Sequence, residues 1–195
     1  MIIIGLTGSI GMGKSTTAEM FRAEGCPVFD ADAAVHELYA KGGKAVPIIR
    51  AVFPDAIKDG AVDRVVLGKH MRADPLQLNV LESFIHPLVS ESRTAFFEQN
   101  KDADIVVMDV PLLFETGLDK AVHHIVVVTA PAEVQRKRVL ARPGMTPELF
   151  DSLLSRQTAD AEKRRQAHTL IFTDRGLENA REQVQDLLRE LRSKA

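Results

Sequence analysis

At 195 residues the chain is sized for one domain, or for one core with small insertions. Hydrophobic residues at 45% suffice for a full core, and a net charge of −2 excludes the basic excess of a nucleic-acid binder. The longest apolar runs, such as 105–108 and 125–128, are strand-sized and far too short to span a bilayer. One cysteine, Cys26, excludes an internal disulfide and a cysteine-rich metal site, and reads as a small buried residue. A reducing cytoplasm is the expected compartment. Met1 leads straight into the first apolar run, so no signal peptide is expected.

The apolar run 2–7 reads as a buried strand and is followed by Gly8-Ser9-Ile10-Gly11-Met12-Gly13-Lys14-Ser15, then Thr16. This fits G-x-x-x-x-G-K-[ST], with Gly8, Gly13, Lys14 and Ser15 in the required places. A helical pattern begins at Lys14 with no proline to break it. Strand, glycine loop and helix let successive backbone N–H groups surround an anion at the positive end of the helix. Lys14 then reaches the β- and γ-phosphates, and the Ser15 hydroxyl ligates Mg²⁺. A chance match on a glycine-rich turn is the competing reading, and the flanking strand and helix speak against it.

The second run, 27–30, ends in Asp30-Ala31-Asp32. In an extended chain residues two apart face the same way, so both carboxylates could face a nucleotide cleft. Either could instead cap the helix through Val35 and Leu38. Asp30 suits both roles, and Asp32 is read as chemical. From about 42 to 100 no strand is convincing: helical patterning is broken by Gly42-Gly43, Pro47, Pro54, Gly60, Pro75 and Pro87, and reads as a helical insertion. The run 104–110 ends in Asp109, the form of a carboxylate that holds Mg²⁺ directly or through water. Pro111-Leu112-Leu113-Phe114-Glu115 follows, and its leucines could equally be core.

After the run 123–129 comes 135–165, dense in Arg and Lys and interrupted by Pro143-Gly144. Thr146-Pro147-Glu148 reads as a helix start, with Thr146 as cap. The segment is either a solvated basic helix pair or a mobile arginine-bearing lid. A last strand, 168–172, precedes a packing helix over 176–194 with Leu177, Val184, Leu187, Leu188 and Leu191 at helical spacing. The alternation predicts a doubly wound α/β sheet, with ligands gathered beyond the carboxyl ends of its strands. The expected division is a core of 1–41, 101–134 and 166–195, an insertion at about 42–100 and a lid at about 135–165.

Together these residues resemble the dephospho-coenzyme A kinase family. The resemblance runs from Gly5 to Thr16, through Asp30-Ala31-Asp32, Leu81-Glu82, His86-Pro87 and the 111–115 block, to Gln135, Arg138, Arg142 and Gln157. It implies a P-loop NTPase three-layer sandwich with a five-stranded parallel sheet, a helical substrate-binding insertion and a helical lid. It also implies transfer of the ATP γ-phosphate to the ribose 3′-hydroxyl of dephospho-CoA, giving coenzyme A and ADP. By resemblance Gly11, Met12, Gly13, Lys14, Ser15, Thr16, Arg138 and Arg142 hold ATP, while Thr7, Asp32, His86 and Leu112 contact the acceptor. Asp32 is the implied base, Lys14 and Arg142 share the catalysis, and Ser15 and Asp109 hold the metal. Ser9 and Met12 stand where the family usually has Gly and Ser. Ala167-His168 and Asp174-Arg175-Gly176 depart from its pattern around the last strand. No nucleic-acid or membrane partner is expected, and the chain is expected to be a monomer or weak homo-oligomer.

Two other readings compete. A nucleoside monophosphate kinase suits the length and lid but not the Asp30–Asp32 and 111–115 blocks. A GTP-dependent switch needs N-K-x-D after a strand, and Asn100-Lys101-Asp102-Ala103 fails at its last position and precedes one.

Overall fold

The computed structural model describes residues 1–194. In chain order they form β1 (Ile2–Thr7), α1 (Lys14–Ala23), β2 (Val28–Asp30), α2 (Ala31–Tyr39), α3 (Val46–Val52), β3 (Ile57–Lys58), β4 (Ala61–Val62), α4 (Arg64–Ala73), α5 (Pro75–Gln99), β5 (Ile105–Asp109), β6 (His124–Thr129), α6 (Ala132–Leu140), α7 (Pro147–Leu154), α8 (Asp160–Gln166), β7 (Thr169–Phe172) and α9 (Leu177–Lys194). The chain divides into two compact units, Met1–Phe29 with Asn100 onward, and Asp30–Gln99.

The first unit is built on a sheet of order β2-β5-β1-β6-β7, the strands running parallel as expected. β1 is central, in register with β5 from Ile2↔Ile105 to Leu6↔Asp109 and with β6 from Ile4↔His124 to Thr7↔Val127. A parallel sheet is covered on both faces, so its strands are apolar throughout rather than alternating. Every residue of β5 is buried. Ile4, Leu6, Ile105, Val107, Val126 and Val128 share one face and pack on Phe21 of α1 and on Val184, Leu187, Leu188 and Leu191 of α9. Each such side chain contributes about 1.5–3 kcal/mol on burial. The other face lacks a side chain at Gly5, and there Val122 and Leu113 come within 3.0 and 3.1 Å of where a Cβ would stand.

The amino-terminal edge of this sheet is closed by histidines. His123 Nδ1 accepts the Ile3 N–H at 2.9 Å, and His168 Nδ1 accepts that of Ile125 at 2.9 Å. His124 stacks on His168 with ring centroids 5.1 Å apart, its Nε2 2.8 Å from Thr169 Oγ1. Burial, then the neighbouring His168, pushes the His124 pKa below its ordinary 6.5, with Lys194 acting the same way and Glu190 opposing. A histidine that resists protonation in the folded state takes up more protons when unfolded, so stability is complete above about pH 6.5 and falls as the pH drops below it. Thermal melts between pH 7.5 and 5.5 are expected to show a declining Tm, with a shallower decline in His124→Gln. An unchanged slope in the variant assigns the acid sensitivity elsewhere.

The second unit packs α2 to α5 around Leu38, Val46, Ile49, Phe53, Leu67 and Ile85. It begins at Asp30, so α2 belongs with it, whereas the sequence boundary lay near residue 42. The region also holds strands where none was expected: Ile57–Lys58 and Ala61–Val62 form an antiparallel hairpin. Its turn is Asp59-Gly60, both with positive φ (52° and 84°), the geometry that favours Asp-Gly in two-residue hairpins. Pro87 does not break the helical pattern either. It lies inside the 25-residue α5, which buried Leu81 and Ile85 anchor on the unit's core. Packing outweighs the lost backbone bond there.

Candidate active site

β1 ends at Thr7, which is fully buried and donates its Oγ1 hydrogen to the Pro111 carbonyl at 3.1 Å. The chain then turns through the phosphate-loop sequence. Gly8 is required by crowding: a Cβ would stand 2.6 Å from the Val128 carbonyl oxygen. Gly13 is required by conformation, since at φ 96° it is left-handed as it enters α1. No side chain among the described residues caps α1, and its first turn carries no acid. Its leading N–H groups and the positive end of its dipole are therefore left for an external anion.

Lys14 lies in that first turn, its Nζ 2.5 Å from Asp109 Oδ1, with side chains 16% and 3% accessible. The in-register pairing of β1 with β5 brings them together, since Leu6 and Asp109 are partners. An ammonium has three donors, so Lys14 can hold Asp109 and still reach a phosphate. Ser15 and Thr16 are exposed on the same turn.

The rest of the loop is held from three directions. Gln157 Oε1 accepts the Ile10 N–H at 3.0 Å, and Gln135 Nε2 donates to the Ile10 carbonyl at 2.8 Å. Met12 is engaged inside the protein: its N–H bonds the Ser9 carbonyl, its Sδ accepts the Ala130 N–H, and its carbonyl accepts Thr173 Oγ1 at 2.7 Å. Met12 therefore supports the loop, and its buried side chain fills a place that a smaller residue would leave open. Ser9 is 2% accessible.

Thr173 was not singled out from the sequence, yet it joins the last strand to the loop. Its Oγ1 accepts from Arg138 at 2.9 Å, and Arg138 also donates to its carbonyl at 2.7 Å. Arg138, Arg142, Gly11, Gly13, Thr16 and Thr173 line a cavity of about 320 Å³, with Leu177 also in its lining. Arg142 is exposed, two residues before Gly144, whose φ is 76°. Thr146 caps α7 as expected, its Oγ1 accepting the Leu149 N–H at 3.2 Å.

Beyond β5, Leu113 is buried and Leu112 is 39% exposed. Glu115 Oε1 accepts the Thr158 N–H at 2.6 Å and lies 3.3 Å from Lys163 Nζ. Burial raises the Glu115 pKa, but the Thr158 N–H, its own N–H and the Lys163 charge outweigh it, so the carboxyl sits below its ordinary range.

The residues expected to bind metal suit Mg²⁺. Among the described residues no cluster of three or more His, Cys, Asp or Glu could cage a cation. Mg²⁺ needs none, because it commonly takes one or two protein ligands and completes its shell with water and substrate phosphates. An exposed hydroxyl at Ser15 and a carboxylate at Asp109 match that donor set.

Asp32 and His86 belong to the second unit. The extended-chain argument that paired Asp30 with Asp32 does not hold, because the helix begins at Ala31. Asp30 is the cap, its Oδ1 accepting the Ala33 N–H at 2.9 Å. Asp32 is an exposed member of the first turn of α2. His86 is exposed on α5 beside buried Ile85.

A family model described as dephospho-CoA kinase matches residues 2–179. A dephospho-CoA kinase of Mesorhizobium japonicum is 53% identical over 194 residues, covering 98% of each chain. A Thermus thermophilus structure titled TT1252 superposes with a TM-score of 0.81 at 35% identity, over 97% of each chain. A dephospho-CoA kinase structure from Campylobacter jejuni, at 21% identity, shares the fold with a TM-score of 0.69 over 97% of this chain and 96% of that one.

Proposed function

The chain belongs to the dephospho-CoA kinase family, and we propose that it transfers the ATP γ-phosphate to the ribose 3′-hydroxyl of dephospho-CoA, with the following division of labour among its residues. The observation that carries it is the uncapped, acid-free start of α1 with Lys14 and Asp109 beside it. N–H groups of Gly11, Gly13, Lys14, Ser15 and Thr16 receive the phosphates, and Lys14 neutralises charge on the transferring group. Ser15 and Asp109 would hold Mg²⁺, which would offset negative charge on the phosphates during transfer. Arg138 fixes the last strand's turn beside the cavity that takes the nucleoside, which the bonds to Thr173 support. His86 and Leu112 bind the acceptor, Thr7 being fully buried on the Pro111 carbonyl and so placed to hold the loop rather than the acceptor. Asp32 orients the acceptor hydroxyl and takes the proton late in transfer. The cytoplasm is the proposed compartment; among the described residues no helix is long and apolar enough to cross a membrane.

A coupled ADP-release assay with Mg·ATP and either dephospho-CoA, AMP, CMP, shikimate or no acceptor tests the reading. Turnover above the acceptor-free rate is expected with dephospho-CoA alone. Equal turnover with AMP or shikimate would reassign the substrate.

Arg142 is exposed and borders the cavity from a turn. Closing over the phosphates, it excludes water that would otherwise hydrolyse ATP. Arg142→Ala is expected to lower kcat and to raise ADP formation relative to coenzyme A formation. A solvated surface charge would leave both within about a factor of two. Measuring the two products in the same reaction separates the outcomes.

A further inference from the structure

Among the described residues Lys163 is the charged side chain that is fully buried, and the reaction does not use it. It lies on α8, is fully buried, and has its Nζ 3.4 Å from the Pro111 carbonyl and 3.3 Å from Glu115 Oε1. Burying an ammonium is costly unless its partners are well placed, so a lysine with no exposure marks a position where those partners matter. Each of its two partners is itself tied to the phosphate loop. The Pro111 carbonyl also accepts Thr7 Oγ1, one residue before Gly8. Glu115 also accepts the Thr158 N–H, and the adjacent Gln157 accepts the Ile10 N–H within the loop. From the far side, Asp160 on α8 accepts Thr129 Oγ1 at 2.9 Å, fixing the helix to the end of β6.

The consequence falls on the five residues from Pro111 to Glu115. Pro111 is held at its carbonyl and Glu115 at its carboxylate, while Leu113 is buried against the sheet beneath Gly5. With three points fixed, the intervening Leu112 is turned outward and left 39% exposed. We propose that Lys163 is a positioning residue for the acceptor: by clamping Pro111 and Glu115 it sets the place of Leu112 relative to the phosphate loop. This rests on the reading that Leu112 contacts dephospho-CoA.

The test measures KM for dephospho-CoA and for ATP separately, with Tm, in Lys163→Met, Lys163→Arg, Glu115→Gln and Leu112→Ala. Lys163→Met keeps length but removes the charge, and is expected to raise the acceptor KM about tenfold while the ATP KM stays within about threefold. Glu115→Gln keeps shape and is expected to move the acceptor KM in the same direction, which carries the test if Lys163→Met does not fold. Lys163→Arg, which restores a cation, is expected to recover part of the loss. A merely structural role lowers Tm and leaves the two KM values unchanged or shifted together; that result overturns the proposal. Should Leu112→Ala raise the acceptor KM while Lys163→Met and Glu115→Gln do not, the positioning role fails and the acceptor contact stands. An unchanged acceptor KM in Leu112→Ala overturns the underlying contact, and the proposal with it.

Discussion

Asp32→Asn is expected to lower kcat by about 10²–10⁴, the range typical of losing a general base, with ATP affinity nearly unchanged. A ribose hydroxyl is un-ionised at neutral pH and must shed its proton as it attacks phosphorus. A carboxylate bonded to it can orient it and accept that proton late, as the catalytic-loop aspartate does in protein kinases. Asparagine keeps the size and part of the hydrogen bonding but cannot accept a proton. The structure sharpens this comparison. If Asp32 capped α2, Asn would replace it well, since the two cap about equally. The cap is Asp30, whose side chain holds the Ala33 N–H, so Asp32 is free of that duty. Asp32→Asn should therefore leave Tm nearly unchanged, while Asp30→Ala should lower it by loss of the cap. Near-normal kcat in Asp32→Asn would remove Asp32 from the chemistry and direct the search for the base to Asp30 and Asp109.

Lys14→Ala is expected to lower kcat by about 10²–10³, the usual effect of deleting one preorganised electrostatic contact to the reacting group. The sequence alone places this lysine at a loop–helix junction, where removal should cost little stability. The ion pair to Asp109, only 3% accessible, changes that expectation. Hydrogen bonds to charged groups contribute about 1.5–3 kcal/mol, so a Tm lower by several degrees is expected as well. Adding Asp109→Asn separates the effects: neutralising the carboxylate should recover Tm and leave kcat low. A folded Lys14→Ala protein with near-normal kcat would refute the phosphate-loop reading.

The sequence by itself determined the five strands of the parallel sheet, their alternation with helices and the phosphate loop. These follow from local physics: unbroken apolar runs have one use in a parallel sheet, and Gly8 and Gly13 stand where side chains are excluded by crowding or by backbone angle. The Asp59-Gly60 turn was also within reach, but the strands it joins are two residues each, too short to show a period. Tertiary structure alone decided matters that depend on distant partners. It made Asp30 the cap by starting α2 at Ala31, carried α5 through Pro87 on the strength of buried Leu81 and Ile85, and drew Thr173 onto Met12 across 161 residues of sequence. It also buried Lys163, which lies in the stretch the sequence reads as either a solvated basic helix pair or a mobile lid. A charged side chain's fate depends on which carbonyl and carboxylate the fold delivers to it. Pro111 and Glu115 lie 52 and 48 residues earlier in the chain, beyond the reach of any local pattern.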